Sequence, residues 1–177
     1  MPTVIGARFD DGVVLAGDER EVRDRTVVSE DVSRVVELQN VGIASPGSTS
    51  ALDELKRTIE DELRTYANRN ERPISASAFE RILASASQHA GADCLGAVRD
   101  DAGRATLLRV DDDGGVIRDE TAALGTGAAI ALGQLETLRT DQPTADGSDR
   151  LTEVMTVVDE RDMETGSSVG SVIIDDE

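Results

Sequence analysis

Thr3-Val4-Ile5-Gly6-Ala7-Arg8-Phe9 is followed by Asp10-Asp11-Gly12 and then by Val13-Val14-Leu15-Ala16-Gly17-Asp18. Thr3 to Phe9 reads as a strand, and Val13 to Ala16 continues apolar up to Gly17-Asp18. Asp-Gly between two short apolar runs is a hairpin signal, because these two residues accept the backbone angles of a tight turn. The chain therefore opens as a β-hairpin, and its remaining segments are read outward from there.

Val27-Val28, Val35–Leu38 and Val41–Ala44 are the next candidate strands, and Ser45-Pro46-Gly47-Ser48 breaks the run. From Thr49 to about Asn70 the period becomes helical, with Leu52, Leu55, Ile59, Leu63 and Tyr66 on one face. Ser48 or Ser50 suits its cap. Ile74 to Ala90 predicts a second helix, stopped by Gly91. Strands resume at Cys94–Val98, Ala105–Val110, Val116-Ile117 and Ala122–Leu124. Gly125-Thr126-Gly127 leads into a helix from Ala128 to about Leu138. Thr140 to Asp149 reads as a polar loop, Leu151 to Arg161 as a fourth helix, and Val169 to Ile174 as the last strand. Strands, two helices, strands, two helices and a strand make an α+β order in which helix pairs cover sheets.

Composition limits what such a fold does. Of 177 residues, 36 are Asp or Glu and 18 are Lys or Arg, giving a net charge of −18. That balance repels polyphosphates, so no nucleic-acid partner is expected. No apolar run reaches the ~20 residues of a membrane span, and the start lacks a signal-peptide pattern. A single cysteine (Cys94) and a single histidine (His89) supply neither a disulfide nor a usual zinc site, so no metal or cofactor is expected. Asp111-Asp112-Asp113 beside two glycines reads as a solvated turn rather than a calcium loop. A soluble cytoplasmic protein fits. Asp outnumbers Glu, and all basic residues but Lys56 are arginine. This bias reads as adaptation to molar salt, where the Debye length falls to ~3 Å and carboxylates repel one another little.

The segment Thr3 to Arg20 closely resembles the opening of proteasome β-type subunits and of the related bacterial HslV-like peptidases. Ser33-Arg34-Val35-Val36-Glu37-Leu38 resembles that family's lysine-bearing strand. Leu124-Gly125-Thr126-Gly127-Ala128-Ala129 resembles its glycine-rich entry to the third helix, and Arg161-Asp162-Met163-Glu164-Thr165-Gly166-Ser167 its late Arg-Asp-x-x-Ser-Gly loop. Four motifs in one order, across nearly the whole chain, make the resemblance specific. It implies an N-terminal-nucleophile fold: a four-layer αββα sandwich of two antiparallel sheets flanked by helix pairs, as one domain over residues 1–177. It also implies ring assembly and protein degradation by the hydroxyl of a first-residue threonine, with its own amine as base.

Carried over by position, Asp18 matches the early aspartate and Asp162 the late one. Thr165 stands for the late serine, Thr126 for the serine of the Gly-Ser-Gly turn, and Arg34 for the lysine. Counting back from Asp18 without a gap, Pro2 takes the threonine position and Thr3 the next. The glycine after the fourth strand is Ser45, or Gly47 if the loop has changed length. Proline has no hydroxyl, and arginine stays charged at any working pH. The sequence therefore predicts a proteasome-like subunit without threonine-protease chemistry, structural or regulatory, in a homo-oligomer or a mixed ring. The alternative is a threonine peptidase or amidase that uses Thr3 after Met1-Pro2 is trimmed. That alternative shifts the spacing to Asp18 by one residue, and a one-residue slip reverses the faces of a strand. No propeptide is expected before Met1 to bare Thr3, and the further strand and final helix that many members of the family carry are not expected beyond Ile174.

Asp18 and Arg34 are expected to form a residual buried ion pair, Asp162 and Thr165 a loop-capping pair, and Thr126 a cap for the third helix. Cys94 is expected to fill core space, and His89 to meet helix-terminal carbonyls.

Overall fold

The computed structural model describes residues 1–177. Strand β1 (Thr3–Phe9) pairs antiparallel with β2 (Gly12–Asp18), Phe9 opposite Gly12 and Val4 opposite Gly17, and every residue of both strands is buried. Next come β3 (Glu21–Arg23) and β4 (Thr26–Ser29), a small hairpin outside the main sheets, then β5 (Val35–Leu38) and β6 (Val41–Ala44). Helices α1 (Thr49–Arg69) and α2 (Ala76–Ala90) precede β7 (Cys94–Arg99), β8 (Ala105–Val110), β9 (Val116–Asp119) and β10 (Thr121–Gly125). Helices α3 (Ala128–Leu135) and α4 (Thr144–Asp159) and strand β11 (Val169–Asp175) complete the order.

The strands form two antiparallel sheets, β10-β1-β2-β11 and β5-β6-β7-β8-β9. Strand alternation sends neighbouring residues to opposite faces. Val4, Val13 and Leu15 enter a core between the sheets, where they meet Ala44, Leu95, Ala97 and Leu107. Ile5, Ala7, Phe9, Val14 and Ala16 face the other way, onto Leu135 of α3 and Leu151, Val154, Met155 and Val158 of α4. The outer face of the second sheet packs Ile43, Val98 and Leu108 on Leu55, Ile59 and Leu63 of α1 and Phe79 and Leu83 of α2. The result is the four-layer αββα sandwich expected from the resemblance. No helix is long and apolar enough to cross a membrane.

Caps behave largely as their residue types require. The Ser48 hydroxyl accepts the Ala51 N–H, Ser75 accepts the Ala78 N–H, and Gly91 ends α2 in the left-handed region at φ 61°. Four readings need correction. Helix α2 starts at Ala76, because Ser75 caps it. Helix α3 stops at Leu135, where Thr137 and Leu138 turn to i−3 carbonyls. The stretch Thr144–Asp149, read as loop, is the first part of α4. Its Asp, Gly and Ser discourage a helix locally, but Asp11 accepts the Thr144 N–H at 2.6 Å and Gly147 lies against Val14 and Phe9. Strand β3 was not expected at all.

Candidate active site

The end of β1 that begins with Thr3 meets the end of β2, the β10–α3 turn and the loop between α4 and β11. Gly125 sits at φ 105° and an added Cβ would strike the Pro2 carbonyl; a Cβ at Gly127 would strike Val158 and come within 2.7 Å of Thr3 Oγ1. These two glycines let the turn lie directly on the start of β1.

Thr3 is fully buried. Its N–H donates to Asp18 Oδ2 at 2.6 Å, and its Oγ1 accepts the Gly127 N–H at 3.0 Å. Thr3 Oγ1 also lies 2.8 Å from Thr165 Oγ1. Thr165 donates to Asp162 Oδ2 at 2.6 Å, so proton counting makes Thr3 the donor to Thr165. Thr126 stands on the other side of the same carboxylate, Oγ1 to Oδ2 at 2.7 Å. That hydroxyl also lies 2.5 Å from the Met1 carbonyl oxygen, which further accepts the Thr126 N–H at 3.3 Å. A hydroxyl carries one proton, and here it has two acceptors.

Asp18 is equally buried and faces neutral donors only. Besides Thr3, the N–H groups of Arg20 and Gly166 donate to Oδ1 at 2.9 and 3.1 Å. Burial pushes its carboxyl above the usual range, and the three N–H groups and the Arg34 charge oppose that only in part.

The expected Asp18–Arg34 ion pair is not formed. The Arg34 guanidinium is buried against the Glu21 carboxylate, and its Nη1 donates to the Gly47 carbonyl at 2.5 Å. A guanidinium is longer than a lysine amine and reaches β3 and the Gly47 loop instead. The backbone donors after β6 are spent as well. Ser45 N–H donates to the Arg34 carbonyl, and Gly47 N–H to Ser45 Oγ, both at 3.2 Å.

The candidate residues Thr3, Asp18, Thr126, Asp162 and Thr165 thus share one cluster, and Arg34 lies beside it, held by Glu21. Asp162 holds its own loop through the Glu164 N–H and the Thr165 hydroxyl. Thr126 does not cap α3: Gly127 occupies the cap with no side-chain bond. Two participants were missed. Glu21 has no pattern that separates it from neighbouring acids; Arg20 donates to the Thr165 carbonyl at 2.8 Å, a contact across the fold. Elsewhere, Cys94 is buried beside Ser87, 3.0 Å away, and burial pushes its thiol up to about 12. His89 meets Glu54 at 3.3 Å rather than helix carbonyls.

A groove of about 490 Å³ runs from Met1 along Pro46, Gly47, Ala51 and Ala92 to Asp93 and Asp112. The Met1 amine pairs with Glu164, and burial lowers its pKa despite nearby Asp162 and Asp18.

A two-sheet sandwich whose first strand begins inside a hydroxyl–carboxylate cluster is the architecture of N-terminal-nucleophile hydrolases. Within that class, residues 2–174 match the proteasome subunit family, and the chain belongs to it. It is 34% identical to a proteasome subunit beta of Haloquadratum walsbyi, over 76% of this chain and 56% of that protein. It is 29% identical to the proteasome subunit beta of Halorubrum lacusprofundi, over 99% of this chain and 74% of the relative. The Halorhabdus utahensis subunit is also 29% identical, over 97% and 74%. The aligned part of the chain thus spans just over half of the first relative's length. All three relatives are from haloarchaea, which fits the acidic, arginine-biased composition.

Proposed function

We propose that this chain is a proteasome-like subunit that serves intracellular protein degradation without performing threonine-protease chemistry itself. The observation that carries this reading is the absence of an open hydroxyl at the start of β1. Pro2 takes the position where the family's threonine is expected, and the adjacent Thr3 is buried with its Oγ1 engaged by Gly127 and Thr165. Two further features support it. The backbone donors that would stabilise an oxyanion after β6 are already engaged. Arg34 is tied to Glu21 and Gly47, and cannot lose its proton to assist a nucleophile. The role is then structural or regulatory, in a ring of like subunits or in a mixed ring.

Incubation in molar salt with fluorogenic peptides and a covalent threonine-directed inhibitor tests the reading. The expected result is no hydrolysis and no adduct, with a particle larger than one chain by light scattering. An adduct on a chain that begins at Thr3 overturns it in favour of a trimmed threonine peptidase. A monomer overturns the ring role.

A further inference from the structure

The hairpin of β3 and β4 is the one strand pair that belongs to neither main sheet. It is anchored at its base, where Arg34 joins Glu21 to the Gly47 carbonyl and Val32 N–H donates to the Glu19 carbonyl at 2.9 Å. Beyond that base, Arg23 to Val28 are all exposed. Val27 and Val28 are 47% and 52% exposed. As neighbours on a strand they point to opposite faces, so each face of the hairpin carries an uncovered apolar side chain. A two-stranded hairpin on its own is marginal in water. Its tip is costly too. Asp24 and Arg25 lie at φ 50° and 63°, where a tight turn favours glycine or asparagine. Arg25 makes no ion pair, and Arg23 reaches only Glu21, at 3.6 Å. In a chain with 36 acidic and 18 basic residues, this is a local surplus of positive charge.

The complement lies on the β8–β9 turn. Asp111, Asp112 and Asp113 follow one another there, and none pairs with a cation. Asp113 Oδ1 holds the turn by accepting the Gly115 N–H at 3.1 Å. Strand β9 is the outer strand of its sheet, and Ile117 on it is 42% exposed. The hairpin is tied to the groove at Gly47, whereas the turn is tied to it at Asp93, through the Asp112 N–H. The two surfaces are thus separate on one molecule and opposite in charge.

We propose that the β3–β4 hairpin of one copy docks on the β8–β9 turn of a second copy, with Arg23 and Arg25 against Asp111 and Asp112 and a valine of β4 over Ile117. This rests on the ring reading and names the surfaces that join the ring. Contact between two different surfaces is heterologous. Each added copy brings a fresh hairpin and a fresh turn, and growth stops when a ring closes. In molar salt the Debye length is ~3 Å, so only charges in direct contact attract. The arginines then fix register and exclude wrong partners, while the apolar side chains drive association.

Light scattering of the full chain in molar salt, at one protein concentration, tests this with two charge swaps. Arg23→Glu with Arg25→Glu sets acid against acid. Asp111→Arg with Asp112→Arg sets base against base. Each variant alone should fall to the mass of one chain. An equimolar mixture should regain a larger particle, because each hairpin then meets a turn of opposite charge. That recovery also shows that both variants fold. Val27→Thr with Val28→Thr should raise the concentration at which the particle dissociates by about tenfold or more. A monomeric wild-type chain overturns the ring reading and this proposal together. A wild-type particle whose size survives either swap, or two monomeric variants that stay monomeric when mixed, overturns the proposal alone.

Discussion

Strand β1 ends in two differently wired polar regions. At the Thr3 end, Asp18 is a buried carboxylate served by three neutral N–H groups, while the Arg34 guanidinium is held by Glu21. At the Phe9 end, Arg8 donates through both Nη1 and Nη2 to Asp176, at 2.6 and 2.5 Å, and Asp176 also accepts the Ala105 N–H at 2.7 Å. The same residue type is pushed up at the first end by burial and down at the second by its Arg8 hydrogen bond. A direct guanidinium partner outweighs partial burial, whereas amides alone do not offset complete burial. The second end is built for holding strands together. The first retains an electrostatic tension that a stability-driven design would remove.

The comparison is broken most severely at Arg34. Arg34→Ala takes the buried cation from Glu21 and leaves it only the exposed Arg23 guanidinium at 3.6 Å, and should destabilise the chain by about 3 kcal/mol, read from urea midpoints at constant slope. Asp18→Ala orphans two buried N–H donors, those of Thr3 and Gly166, and the part-buried one of Arg20, at ~1–3 kcal/mol for each buried donor, so a loss near ~3 kcal/mol is expected in the same assay. Asp176→Ala is milder, about 1–2 kcal/mol, because its site is partly open to water. A loss at Asp176 larger than at Asp18 would reverse the contrast between the two ends.

Acid titration gives the smallest and most discriminating effect. Asp176 ionises more easily folded than unfolded. Its contribution is present above the usual carboxylate range and is lost as pH falls through its depressed folded value. Asp18 has the opposite sign: the folded chain holds that proton more tightly. Its ionisation therefore lowers stability as pH rises from the usual carboxylate range through its raised value. Denaturant midpoints across the acid range should show Asp176→Asn flattening the acid loss and Asp18→Asn steepening it.

Most of the layered fold was legible because strand and helix periods are local. The hairpin at Asp11-Gly12, the Leu52–Leu63 face of α1 and the Gly91 stop all depend on near neighbours. The first turn of α4 was not legible, because its cap is Asp11, supplied from the far end of the chain. The cluster of Thr3, Asp18, Thr126, Asp162 and Thr165 followed from position along matched motifs. The partner of Arg34 did not, since position says where a side chain starts and not how far it reaches. Glu21 won that contact by lying on β3, a strand absent from the apolar pattern.

The strand order of the two sheets also imposes a schedule on synthesis. The second sheet draws all its strands from one continuous stretch, β5 to β9, interrupted only by α1 and α2. The first sheet flanks the opening hairpin with β10 and β11, the last two strands of the order. A ribosome therefore releases the hairpin with both its edges bare, and they stay bare until more than a hundred further residues have emerged. Long-range pairing of that kind is slow to close. The half-made chain thus exposes open β edges at the very strand that carries the site, and those edges are what a chaperone would shield or a neighbouring nascent chain would seize.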